Sequence, residues 1–169
     1  RPLLTAEQEE LVSFYHSRKE DESLSHEEAI QDTIVSILMS PQFCYRLDLA
    51  GVGEGQRALT DFELASRLSY FLWSSRPDAP LMDKASSGEL LHPDVLIAQT
   101  HRMIKHQRAR GFATEFCGNW LDFRRFEVHN AVDRERFPSF NDDLRQAMFE
   151  EPIRFFIDVL QEDRSVFSF

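Results

Sequence analysis

The sequence predicts an all-α fold, an irregular bundle of about six to eight helices without a significant sheet, roughly 60–70% helical. Three observations carry that expectation. Apolar residues recur at steps of three and four, as in Ala29, Ile30, Thr33, Ile34, Ile37 and Leu38. Capping signatures precede those runs. No stretch of four or more residues alternates with a β-branched bias. The 169 residues are 42% apolar and 28% charged, a globular composition, and a chain this long buries enough core to need no staple.

Each element has its own start signal. Thr5-Ala6-Glu7-Gln8 reads as a capping box, in which Thr5 accepts from the third helical amide and Gln8 reaches back. Leu11, Phe14 and Tyr15 then share one face to about residue 20. Arg18 to Ser25 is polar and reads as a loop. Ser25-His26-Glu27-Glu28 is a second box. Ser40-Pro41 breaks or restarts that helix, because Pro41 lacks an N–H and restricts the residue before it, and Phe43, Tyr45 and Leu47 follow on a short helix.

Gly51, Gly53 and Gly55 make residues 51–58 a flexible join between a small N-terminal module, 1–50, and a larger one, 59–169. No strand precedes these glycines and no Lys-Ser/Thr follows them, so they are not a phosphate cradle. Thr60-Asp61-Phe62-Glu63 is a third box, followed by Leu64, Ala65, Leu68, Phe71 and Leu72. A short helix from Pro80 closes at Gly88, a left-handed position. Pro93 opens the next as its first residue. A further helix spans about Arg108 to Phe123, with Phe112, Phe116, Trp120 and Phe123 near one face. Val128 to Phe140 is a connection. Asn141 caps a last helix, which Pro152 should kink or split, since an interior proline costs about 3 kcal/mol. The expected core is Phe14, Ile34, Leu38, Leu64, Leu68, Phe71, Phe112, Phe116, Trp120, Phe155, Phe156 and Val159.

Charge excludes several partners. Asp and Glu outnumber Lys and Arg 29 to 19, a formal charge of −10. That argues against nucleic acid, which needs a basic footprint, and against anionic membranes. No run approaches the ~18 apolar residues of a spanning helix. The six histidines include no pair at i, i+4, so no zinc helix of the H-E-x-x-H type occurs. Adjacent acids such as Glu27-Glu28 and Asp142-Asp143 diverge by about 100° on a helix and read as solvated or capping groups. No G-x-S-x-G elbow accompanies the serines. Cys44 and Cys117 form no C-x-x-C or C-x-x-C-H, so no haem attaches here, and both read as small buried apolar residues.

The candidate interaction or structural-network residues are Arg46, Glu63, Arg67, Trp73, Asp78 and Trp120. Glu63 and Arg67 stand at i, i+4, and Arg67 borders the apolar stripe, so a half-buried, paired guanidinium is expected, either tying helix ends together or anchoring an acidic ligand. Arg46 is similar. Trp73 and Trp120 line apolar stripes and read first as core, with a sugar platform as the alternative. No catalytic, cofactor-binding or metal-binding residue emerges.

Ile37-Leu38-Met39-Ser40-Pro41-Gln42-Phe43-Cys44-Tyr45-Arg46 looks like the close of one short helical module. Asp61 to Ser75, with Pro77-Asp78, looks like the opening of the next. Arg1-Pro2-Leu3, Phe116 to Leu121, Phe137-Pro138 and Glu162 to Val166 continue the pattern. Together they resemble the planctomycete-type, cytochrome-c-associated domains of unknown function. The resemblance implies export to the periplasm or cell surface, a longer parent chain and a neighbouring domain that carries haem c. The chain's start at Arg1 and the Ser165 cap near its end agree with excision from something longer. Cys44 stands where that pattern has a leucine-like residue, Cys117 where it has a small one, and Pro152 where it has an ordinary helix former.

Three function classes follow. The first is a non-catalytic scaffold or interaction domain whose partners are other domains of the same parent. The second is part of a haem-dependent extracytoplasmic redox enzyme acting on a polymer or small molecule. The third is a carbohydrate-binding module using exposed tryptophans.

Overall fold

Hydroxyl side chains set the helix starts. In the computed structural model, which describes residues 2–20, 24–45, 57–126, 132–133, 135–165 and 167, the Ser25 Oγ accepts from the Glu28 N–H and the Glu28 carboxylate accepts from the Ser25 N–H at 2.9 Å. Thr60 and Glu63 repeat this reciprocal arrangement. Of the described residues 70% are helical, in eight helices when 107–120 counts as one, and none of them is in a strand. Among these residues no helix is long and apolar enough to cross a membrane.

The chain divides into two units, Arg1–Arg57 and Ala58–Phe169. In the first, α1 (Thr5–Glu20) packs on α2 (His26–Met39), and α3 (Pro41–Cys44) follows, capped by Ser40 with Pro41 in its first turn. The α1 box is shifted by one residue from the expected one. The Leu4 N–H donates to Glu7 Oε2 at 2.8 Å, so Glu7 takes the backbone N–H, while Gln8 Nε2 reaches back to donate to the Leu3 carbonyl at 3.4 Å. The expected join at 51–58 and Arg46 fall largely outside the described residues, which omit 46–56.

In the second unit, α4 (Asp61–Trp73), α5 (Ala79–Ser86) and α6 (Pro93–Ile104) precede a compound run. That run joins a 3-10 turn (Gln107–Ala109), α7 (Arg110–Phe112), a π-helical turn (Ala113–Cys117) and α8 (Gly118–Trp120). Helix α9 (Asp142–Gln161) closes the unit, with Asn141 Oδ1 accepting from the Leu144 N–H at 2.8 Å. Gly88 takes φ 72° after α5, and Pro93 opens α6.

Pro152 does not split α9, contrary to expectation. Phe149, Ile153 and Phe156 on the same helix are buried. At about 1.5–3 kcal/mol each, their burial outweighs the proline penalty.

Two apolar clusters fill this unit. Ala65, Leu72, Trp73, Leu81, Leu90 and Met103 form one, between α4, α5 and α6. Ala113, Cys117, Phe149, Ile153 and Phe156 form the other, between the π-helical turn and α9. Of the expected core, Phe156 and Val159 are buried, Leu64, Leu68 and Phe112 partly so, and Phe14 half-buried. Ile34, Leu38, Phe71, Phe116, Trp120 and Phe155 are exposed instead. In the second unit the cause is close packing through small residues: Ala65, Ser69, Ala109, Ala113 and Gly118 are buried there. The rings then lie along the surface against one another, with Phe112 stacked on Phe116 at 4.9 Å and tilted on Phe71 at 5.0 Å.

Candidate functional site: a cationic cleft beside Trp73

Helix α4 ends because Ser74 turns left-handed, at φ 53°, while its N–H closes on the Tyr70 carbonyl. The chain then runs through Ser75, Arg76 and Pro77 to Asp78, whose Oδ1 accepts from the Leu81 N–H and caps α5. The Ser69 hydroxyl, fully buried, donates to the Ser75 carbonyl at 2.6 Å and holds this turn against α4.

Trp73 is the pivot. Its ring is 4% exposed, and its Nε1–H donates to the Met103 carbonyl at 2.9 Å. The His106 ring lies 4.9 Å away, and the guanidiniums of Arg108 and Arg102 stand 5.2 and 5.7 Å from the indole centroids. Gly111 lets the 107–120 run approach this point. A Cβ built there would lie 2.4 Å from the Trp73 carbonyl oxygen.

Arg102 grips Asp78 with a two-pronged fork, Nη1 to Oδ2 at 2.7 Å and Nη2 to Oδ1 at 3.0 Å. Burial alone pushes the Asp78 carboxyl up. Hydrogen bonds from Arg102 and the Leu81 N–H, with the charges of Arg102 and Arg108, outweigh it and hold the pKa below the usual value. A second fork joins Arg110 to Glu150, with Nη1 to Oε2 at 2.8 Å. That hydrogen bonding holds the Glu150 carboxyl below its usual value too.

Between the end of α4 and the 107–115 stretch lies an open cleft of about 580 Å³, walled by Ser75, Arg76, Arg108, Arg110, Thr114 and Glu115 among others. Three arginines and one glutamate are among the residues that line it. Glu115 is paired with Arg124 at 2.8 Å and Arg110 with Glu150. Its charged lining residues are more basic than acidic, in a chain whose net charge is −10. Its wall includes part of the π-helical turn, a feature frequent at functional sites. Among the described residues, no group of three or more His, Cys, Asp or Glu is placed to hold a metal ion.

The sequence candidates separate on this geometry. Trp73 lines the cleft, and Asp78 lies two residues beyond its wall residue Arg76, paired with Arg102. Glu63 spends its carboxylate on the Thr60 cap. Arg67 is exposed rather than half-buried. Trp120 is 61% exposed, against the Phe116 ring at 6.1 Å, and is not core. Arg46 lies outside the described residues. Cys44 is exposed, with its Sγ donating to the Leu38 carbonyl, against the expectation of burial. Cys117 is buried, and burial pushes its thiol up to about 11. Sequence reasoning missed Arg76, Arg102, Arg108 and Gly111. The available signal was a glycine inside a helical pattern beside an Arg-x-Arg.

Residues 59–169, which include the whole cleft, match the family model of PSD4, a protein of unknown function (DUF1592). The chain belongs to the PSD4 family. Residues 1–48 match the model of PSD5, likewise a protein of unknown function (DUF1595), so the PSD4 region follows a segment similar to PSD5. No curated protein and no solved structure matches the chain.

Proposed function

We propose that this PSD4-family chain is a non-catalytic helical scaffold and interaction domain of a larger exported, cytochrome-c-associated bacterial protein. It works in the periplasm or at the cell surface. Haem c belongs to another domain of that parent, and residues 51–58 join the two modules of this chain. The resemblance at Ile37 to Arg46 and Asp61 to Asp78 supports the parentage.

The outer face of α2 carries the interaction reading. Ala29 is buried and Thr33 and Ser36 are half-buried on the helix that packs with α1. Ile30, Ile34, Ile37 and Leu38 fall together on another face and are exposed, as are Phe43 and Tyr45 beyond it. A contiguous apolar surface of this kind marks a protein interface. The partner is another domain of the parent.

The test is calorimetric titration of this chain with each adjoining domain of its parent. The Ile34→Asp, Leu38→Asp double variant should lose binding by at least about 2 kcal/mol, as at a buried hot spot, with helicity retained. Binding unchanged in the variant, or no binding by the native chain to any adjoining domain, would overturn the reading.

A further inference from the structure

The cleft beside Trp73 holds arginines that form no direct ion pair among the described residues. Arg110 is held by Glu150 and Glu115 by Arg124. Arg76 and Arg108 also line the cleft, and neither forms an ion pair among the described residues. Arg108 is aimed by the Trp73 ring, and the Arg108 N–H donates to His106 Nδ1 at 3.1 Å, which fixes the start of the 3-10 turn. Its charge reaches Asp78, but both Asp78 oxygens are already taken by Arg102 and the Leu81 N–H. Two arginines therefore line one cavity without a direct ion-pair partner among the described residues, in an acidic chain that has ten more anionic than cationic groups.

Two hydroxyl-bearing side chains, Ser75 and Thr114, are also among the wall residues. The Ser75 Oγ is shielded from solvent and has no hydrogen-bond partner among the described residues. Buried hydroxyls are seldom left so. A volume of about 580 Å³ suits a small molecule, and the planar guanidinium fork matches two oxygens of one carboxylate or phosphate.

We infer that this cleft is a binding site for a compact oxyanion, the carboxylate or phosphate of a small molecule, held by Arg76 and Arg108. Arg102 and Arg110 are positioning residues. Their forks to Asp78 and Glu150 fasten α6 to the start of α5, and α7 to α9, and so hold the walls in place. The site stands independently of the α2 face and of any partner that covers it.

Calorimetric titration of the 169-residue chain at low ionic strength, with inorganic phosphate in one arm and succinate in the other, tests the assignment. At least one arm should give saturable, salt-sensitive binding, and the arm that binds tighter identifies the source of the oxyanion. Arg76→Gln should weaken it about tenfold or more, the scale of one charge-assisted hydrogen bond. Arg76 is exposed and has no hydrogen bond among the described residues, so this variant retains the fold. Arg108→Lys keeps the charge, loses the fork and should weaken binding less than Arg108→Gln. Lys19→Gln, exposed on α1 in the other unit, should leave affinity unchanged. No saturable binding in either arm, or equal affinities for Arg76→Gln and Lys19→Gln, would overturn the inference.

Discussion

Gly111→Ala is the sharpest perturbation the second unit offers. The added Cβ would meet the Trp73 carbonyl oxygen at 2.4 Å, its carbon at 2.7 Å and the Ser74 nitrogen at 3.3 Å. These are backbone atoms, fixed by the left-handed turn at Ser74 and by the Trp73 bond to Met103, so no side chain can swing aside. Overpacking of this kind costs about 3 kcal/mol. Alanine in a helix recovers about 1 kcal/mol of that, leaving a net loss of about 2 kcal/mol. Both tryptophans of the sequence, Trp73 and Trp120, lie in the second unit, so their fluorescence during thermal or urea unfolding reports that unit alone. The melting temperature should fall by about 5–10 °C. Gly118→Ala is the matched control. Its Cβ would approach Arg124 Cβ only to 3.3 Å, a contact that yields by tenths of an ångström, and the variant should stay within about 1 kcal/mol of the native chain. If Gly111→Ala stabilises the unit as an unhindered helical glycine would, the close approach at Trp73 is wrong.

Other expectations follow from the forks and caps. Asp78→Asn keeps a good N-cap and removes the charge gripped by Arg102, so it should cost about 1.5–3 kcal/mol in urea unfolding; an unchanged midpoint would show that the fork is idle. The folded pKa of Asp78 lies below its unfolded value of about 3.9. The stabilisation is therefore complete above about pH 4 and disappears as pH falls through the depressed folded value. Asp78→Asn should flatten that part of the stability curve, and a native acid slope surviving in the variant would refute the assignment. Thr60→Ala should cost about 1 kcal/mol by removing one half of the α4 box, read from the same fluorescence melt, whereas a loss below about 0.3 kcal/mol would contradict the cap geometry.

Local chemistry made much of the fold legible. Ser25, Thr60 and Asn141 cap the helices they announce, because a cap depends on three or four consecutive residues. The shifted start at Leu4 arose where Glu7 and Gln8 both had a side chain able to reach back. Continuity through Pro152 was not legible, because it rests on the burial of Phe149, Ile153 and Phe156 against another segment. The exposure of Phe71, Phe116 and Trp120 was equally hidden, since periodicity marks a face without showing that alanine and glycine will take the closest contacts. At the cleft, Trp73 and Asp78 stood out in the sequence. Arg102 lies 24 residues from Asp78, and no local pattern pairs them. The π-helical turn at Ala113–Cys117 has no sequence signature among the rules of helix capping.

Radical footprinting of this chain alone and within its intact parent tests the central claim most directly. Met39, 75% exposed, and Phe43 and Tyr45 beside it are readily oxidised reporters at the end of the α2 stripe. If the stripe is an interface within the parent, their oxidation should drop severalfold there, together with that of Ile34 and Leu38. Equal oxidation in both samples would contradict the scaffold account.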